Sequence, residues 1–106
     1  MAWIYLLIAG LLEIAWAFGL KASDGFARVG WAVFTLITAL GSFGLLAIAM
    51  RQLPLGTAYA IWTGIGAVGA FVVGIVIMGE AVTLARVGSA SLIVVGLIGL
   101  KLSAAS

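Results

Sequence analysis

The chain has no cysteine and no histidine, a single proline, and among its 106 residues only five basic and three acidic side chains. Each shortage removes a class of function. Without cysteine there are no disulfides and no thiolate metal sites, and without histidine there is neither imidazole ligation nor Ser-His or Cys-His nucleophilic catalysis. No cofactor motif and no metal-ligand cluster is expected, and an enzyme is not. The net charge of +2 rests on too few charges to form a basic patch, so nucleic acid is not an expected partner. What is abundant is apolar: 66% of the chain is hydrophobic and 8% charged, against about 45–50% and about 25% in an ordinary soluble domain. So small a soluble fold would leave much of its surface in water, and this chain has too few polar side chains to cover one. The arithmetic describes an integral membrane protein.

The charges punctuate the sequence. Residues 2–20 are apolar except for Glu13, and the segment from Lys21 to Arg28 is a short polar turn. Residues 29–50 carry no charge, and Arg51-Gln-Leu-Pro54 interrupts the next run. Residues 55–78 are again uncharged, and Gly79-Glu80 ends them. The last span covers about 83–102, with Arg86 and Lys101 near its ends, where long basic side chains snorkel to the interface. Each stretch approaches the roughly 20 residues that cross a ~30 Å hydrocarbon core. None alternates in character as the strands of a membrane barrel do. The expected fold is all-α: one domain over residues 1–106, four transmembrane helices and short hairpin turns, in the plasma (inner) membrane of a bacterium. Ala15-Trp16-Ala17 loosely imitates a leader cleavage site, but no basic residue precedes the first span and Glu13 interrupts it. That span is therefore read as a helix that stays. Trp3, Tyr5 and Trp31 lie near helix ends, as interfacial aromatics do.

With four spans, Arg51 and Lys101 share one side of the membrane and Lys21, Arg28 and Arg86 the other. Two against three is almost no positive-inside bias. Such a chain can insert both ways, and opposite-facing copies can pair as an antiparallel dimer; a fixed topology set by weak bias fits the charges equally well. Transporters commonly bind substrate between two inverted halves. No internal repeat is visible here, so a second, inverted copy would supply the missing half.

Glu13 lies about eleven residues into its helix, near the bilayer centre at ~1.5 Å rise per residue. A carboxylate there costs a few kcal/mol or more, and such residues usually face a cavity or an ion path. It can hold a proton or pair with a cation, not both at once, which is the simplest chemistry for proton/cation exchange. A permanently protonated Glu bonded to another helix is the plainer alternative. Around it, Ala9, Gly10 and Ala17 leave room, and Trp16 offers a flat π surface. Thr35, Thr38 and Ser42 form a hydroxyl stripe on the second span, with Ser42 deep enough to orient a carboxylate, although back-bonding to their own helix is as common. Tyr59, Trp62 and Thr63 share spacing on the third, and aromatics beside an acid suit an organic cation. Gly64, Gly66, Gly69 and Gly74 permit close packing or a kink, with Gly64 and Gly66 as the expected kink of alternating access. On the fourth span Ala85, Gly88, Ser89, Gly96 and Gly99 recur at i, i+3, i+4, i+11 and i+14, a small-residue stripe assigned to dimer packing.

Along nearly its whole length the chain resembles the small multidrug resistance transporters. The likeness is carried by the Glu13 helix, by the turn from Lys21 to Arg28 with Gly25-Phe26, and most specifically by Pro54-Leu-Gly-Thr-Ala-Tyr-Ala-Ile-Trp-Thr-Gly-Ile-Gly66. The resemblance implies an antiparallel, dual-topology homodimer that exports cations in exchange for protons, with both copies of Glu13 lining one central site. Trp16, three residues after the acid, together with Gly10, Ser42, Tyr59, Trp62 and Lys101, resembles the guanidinium-exporting branch of that family rather than the branch that exports quaternary ammonium and larger aromatic cations. It implies that Glu13 binds substrate and protons, that Ser42 and Trp16 position it, and that Gly10, Tyr59 and Trp62 line the site. Ala27 departs from the hydroxyl residue expected in the first turn, outside the implied pocket.

Overall fold

A run of about twenty apolar residues without proline has one way to satisfy its backbone in lipid, which is to turn every N–H onto its own segment. The computed structural model, which describes residues 1–103, contains four such helices: α1 (Ala2–Ala22), α2 (Val29–Ala49), α3 (Leu55–Val76) and α4 (Leu84–Ser103). Each is long and apolar enough to cross a membrane. Residues 104–106, the tail of the expected domain over 1–106, lie outside the described residues.

The helix ends differ from those the charges suggest, for local reasons. α1 carries Lys21 inside its last turn and runs on to Ala22, because a lysine stem reaches the interface without ending the helix. The turn that follows is built on buried Ser23. Its hydroxyl donates to the Leu20 carbonyl at 2.8 Å and accepts the Phe26 N–H at 3.1 Å, while its own carbonyl accepts the Arg28 N–H at 2.9 Å. Asp24, Gly25 and Phe26 then all take left-handed conformations, with φ of 51°, 67° and 68°. α3 begins after Pro54, whose fixed φ of −60° starts the helix. It ends at Val76 rather than 78, where left-handed Gly79 turns the chain and the Glu80 N–H returns to the Gly74 carbonyl at 3.0 Å.

α1 is the central helix, packed against both α2 and α3; α4 packs its backbone on α3 and reaches α1 through Lys101 over Trp3, and α2 and α3 scarcely meet. The resulting order α2–α1–α3–α4 makes a slab of 43 × 34 × 16 Å, little more than one helix thick given a helix diameter of about 10–12 Å. The interior is a seam near the end that holds Trp3 and Lys101. It joins Ala2, Leu6 and Ala9 of α1 to Leu46 and Ala49 of α2 and to Ala58, Ile61 and Trp62 of α3. α4 contributes no buried residue. In lipid the apolar drive between helices is gone, so close van der Waals packing and interhelical hydrogen bonds hold such a seam together.

Candidate functional site

The site is assembled where α1, α2 and α3 converge. Its structural node is Ser42 of α2, fully buried. The Ser42 hydroxyl donates to the Ala9 carbonyl of α1 at 2.7 Å and accepts the Trp62 indole N–H of α3 at 2.9 Å. One hydroxyl therefore ties three helices, and its single proton is committed to Ala9 rather than to the Glu13 carboxylate. The other members of the stripe behave differently. Thr35 and Thr38 donate to the carbonyls of Trp31 and Phe34 on their own helix, at 2.8 Å and 2.7 Å.

Glu13 projects from α1 against α3. A Cβ built on Gly66 would collide with the Glu13 carboxyl, and one on Gly10 would collide with Ile65. α1 and α3 thus cross where neither backbone is held off by a side chain. Gly64 serves the other side of α3, where Leu97 of α4 fills the space a Cβ would need. α3 runs without interruption through Gly64 and Gly66, and both glycines act here as contact points.

Glu13 Oε1 is buried and has no hydrogen-bond partner among the described residues, and the same is true of the Trp16 indole nitrogen. An acceptor without a donor and a donor without an acceptor therefore sit one helical turn apart on α1. Buried polar atoms are almost always paired, so these two orphans are candidate contacts for a bound group. Around them runs an aromatic series. Trp16 lies 6.1 Å from Phe43, Phe43 lies 5.7 Å from Trp62, and Trp62 lies 5.6 Å from Tyr59, measured between ring centroids. Trp62 is buried, whereas Tyr59 is half exposed at the end of the series and Thr63 faces outward.

The structure accordingly sets Gly66 against Glu13 and links Ser42 to Trp62, with Trp62 joined through aromatic rings to Trp16 on one side and Tyr59 on the other. Gly88, Gly96 and Gly99 lie elsewhere, on a face of α4 where an added Cβ would meet nothing within 4 Å. Phe43 was not legible in the sequence. It is one phenylalanine in an uncharged span, and only its place between two tryptophans distinguishes it.

Comparison with known proteins decides the family. The model for Small Multidrug Resistance proteins matches residues 1–98. The chain belongs to the small multidrug resistance family. Its relatives include proteins named Guanidinium exporter from Yersinia pestis, 58% identical over 103 residues that cover 97% of this chain and 99% of the relative. The Escherichia coli K12 protein of the same name is 57% identical over 103 residues, covering 97% and 98%. That of Salmonella typhimurium is 58% identical over 104 residues, covering 98% and 99%. With four spanning helices, this member of the family is a multi-pass membrane protein of bacterial type, and a transporter rather than an enzyme.

Proposed function

We propose that the protein exports guanidinium and small guanidinyl cations in exchange for protons. The observation that carries this reading is the Glu13 carboxyl, near the middle of its span, with a buried oxygen that has no hydrogen-bond partner among the described residues. A planar guanidinium presents paired N–H donors that match a carboxylate bidentately and stack on aromatic faces. Trp16, one turn from the acid on α1, supplies such a face, and Phe43 and Trp62 continue the aromatic series from it. Relatives that align over nearly the whole chain carry the name Guanidinium exporter, which favours the same cation.

The working unit in this reading is an antiparallel homodimer of dual topology. A slab 16 Å thick offers little depth in which to enclose a cation, which favours a second copy. α4, with no buried residue and with Gly88, Gly96 and Gly99 in open space, is the face left for a second copy. The near-even division of Arg and Lys between the two ends permits both orientations. Two copies of Glu13 then share one cavity, each carrying either a proton or part of the substrate's charge. Trp16 orients the carboxylate, Ser42 fixes the three helices that frame it, and Tyr59 stands at the rim.

The test is a reconstituted transport assay in sealed proteoliposomes. Guanidinium on one side should drive proton movement in wild type and none in Glu13→Gln; guanidinium flux without proton movement would instead describe a channel. The run of aromatic rings ending at half-exposed Tyr59 favours a second reading, export of larger quaternary ammonium or aromatic cations. Competition separates the two. Alkylguanidinium ions should inhibit guanidinium-coupled flux more strongly than tetra-alkylammonium ions of similar size.

A further inference from the structure

An open groove of about 330 Å³ lies between the N-terminal half of α1 and the C-terminal half of α4. Trp3 and Leu7 of α1, Ile61 and Ile65 of α3, and Leu97 of α4 line it, and Lys101 stands at its mouth. Ile4, also on its wall, is nine residues from Glu13. At about 3.6 residues per turn that is two and a half turns, so Ile4 leaves α1 opposite Glu13. Leu6, on the same wall, is seven residues from Glu13 and leaves on its side. Nothing in the exchange chemistry proposed above uses this groove.

Its composition is that of a lipid site. Below the mouth the walls are entirely apolar. At the mouth the Lys101 ammonium lies 4.4 Å from the centre of the Trp3 ring, a cation–π contact that holds the charge over the groove. Tryptophan and lysine near helix ends mark the depth of the lipid headgroups. Charge selects the kind of lipid. The two other ends of chain at this face of the membrane bring Arg51 but no Asp or Glu side chain, since Asp24 and Glu80 belong to the opposite end and Glu13 to the middle. The counterpart groove at the other end of α4 also has a cation, Arg86, but its guanidinium is 3.4 Å from Glu80 and donates to the Ala81 carbonyl. Lys101 has no carboxylate side chain within ion-pairing distance among the described residues.

We propose that this groove is a binding site for an anionic glycerophospholipid, whose headgroup phosphate pairs with Lys101 while one acyl chain lies along Leu7, Ile65 and Leu97. Basic residues between membrane helices recognise anionic headgroups in this way. The inference stands apart from the substrate reading, because Glu13 does not line this groove and binding is read without transport.

Native mass spectrometry of the purified protein tests it, with phosphatidylglycerol and phosphatidylcholine of identical acyl chains added in equal amounts. Wild type should retain phosphatidylglycerol preferentially. Lys101→Ala should lower that retention about fivefold, the factor that one basic residue near an anionic headgroup contributes, and Lys101→Arg should preserve it. Arg51→Ala, at the same end but outside the groove, should change nothing. Leu7→Trp, at a half-exposed position with room for the ring, should block the chain and lower retention with Lys101 still present. Equal retention of the two lipids by wild type would overturn the proposal, as would unchanged retention in Lys101→Ala or in Leu7→Trp. A loss in Arg51→Ala as large as in Lys101→Ala would mean a diffuse surface charge, and would overturn it too.

Discussion

Gly66 of α3 lies directly against the Glu13 carboxyl of α1, with no room for even a methyl group between them. The acid therefore reaches past the backbone of a neighbouring helix to the place it occupies, and its position depends on an atom that is missing. Gly66→Ala should push the carboxyl aside. We expect coupled flux to fall at least as sharply as stability, since one added methyl in a tight contact costs about 1–3 kcal/mol. Gly30→Ala, where a Cβ has open space, should leave both unchanged. Proteoliposome flux and unfolding in mixed micelles, measured on the same preparations, check this.

Replacing the acid separates charge from shape. Glu13→Gln keeps the volume and the contact with Gly66 but can neither release a proton nor pair with a cation. It should abolish coupled exchange while the helical content stays unchanged by circular dichroism. Glu13→Asp keeps the chemistry and withdraws the carboxyl by one carbon, so exchange should persist with a displaced pH profile.

Ser42 holds three helices through one hydroxyl. Ser42→Ala leaves the Trp62 N–H buried without an acceptor, which costs about 1–3 kcal/mol. Trp62→Phe removes that donor, and in the Ser42→Ala background it should cost much less than it does alone. A double-mutant cycle on unfolding free energy reads the coupling. Additive effects would count against the hydrogen bond.

The exposed stripe on α4 gives a prediction for assembly. Gly88→Leu and Gly96→Leu add bulk where a single chain has open space, so the fold of one subunit should be indifferent to them. If that face seats a second copy, both should shift the protein from dimer to monomer, which crosslinking across a dilution series would report.

The turn after α1 rests on Ser23. Ser23→Ala removes the acceptor for the Phe26 N–H and the donor to Leu20, beneath a stretch of consecutive left-handed residues. Such backbone is held only by its surroundings. We expect a loss of about 1–2 kcal/mol and faster amide exchange confined to the turn.

The four spans were readable because lipid simplifies the problem, and charges and turn residues mark where each run stops. The ends were less so. Lys21 could be placed inside or outside α1 by its stem alone, and the end of α3 depends on how Gly79 turns the chain back onto Gly74. Glu13 stood out as the acid within a span, and Ser42 and Trp62 do bond to one another between helices. Which hydroxyl bridges helices was not legible, since Thr35, Thr38 and Ser42 share a spacing and only the approach of Ala9 and Trp62 distinguishes the last. The order α2–α1–α3–α4 was also hidden. In an apolar chain every helix surface looks alike, and neighbours are chosen by where small residues let backbones approach.

A wall little more than one helix thick has hardly any depth. Apart from the seam around Leu6 and Trp62, the usual gradient from intolerant centre to permissive surface has no room to develop. Tolerance to substitution should instead alternate around each helix, about every 3.6 residues, between one side that accepts any lipid-soluble residue and another that accepts almost none.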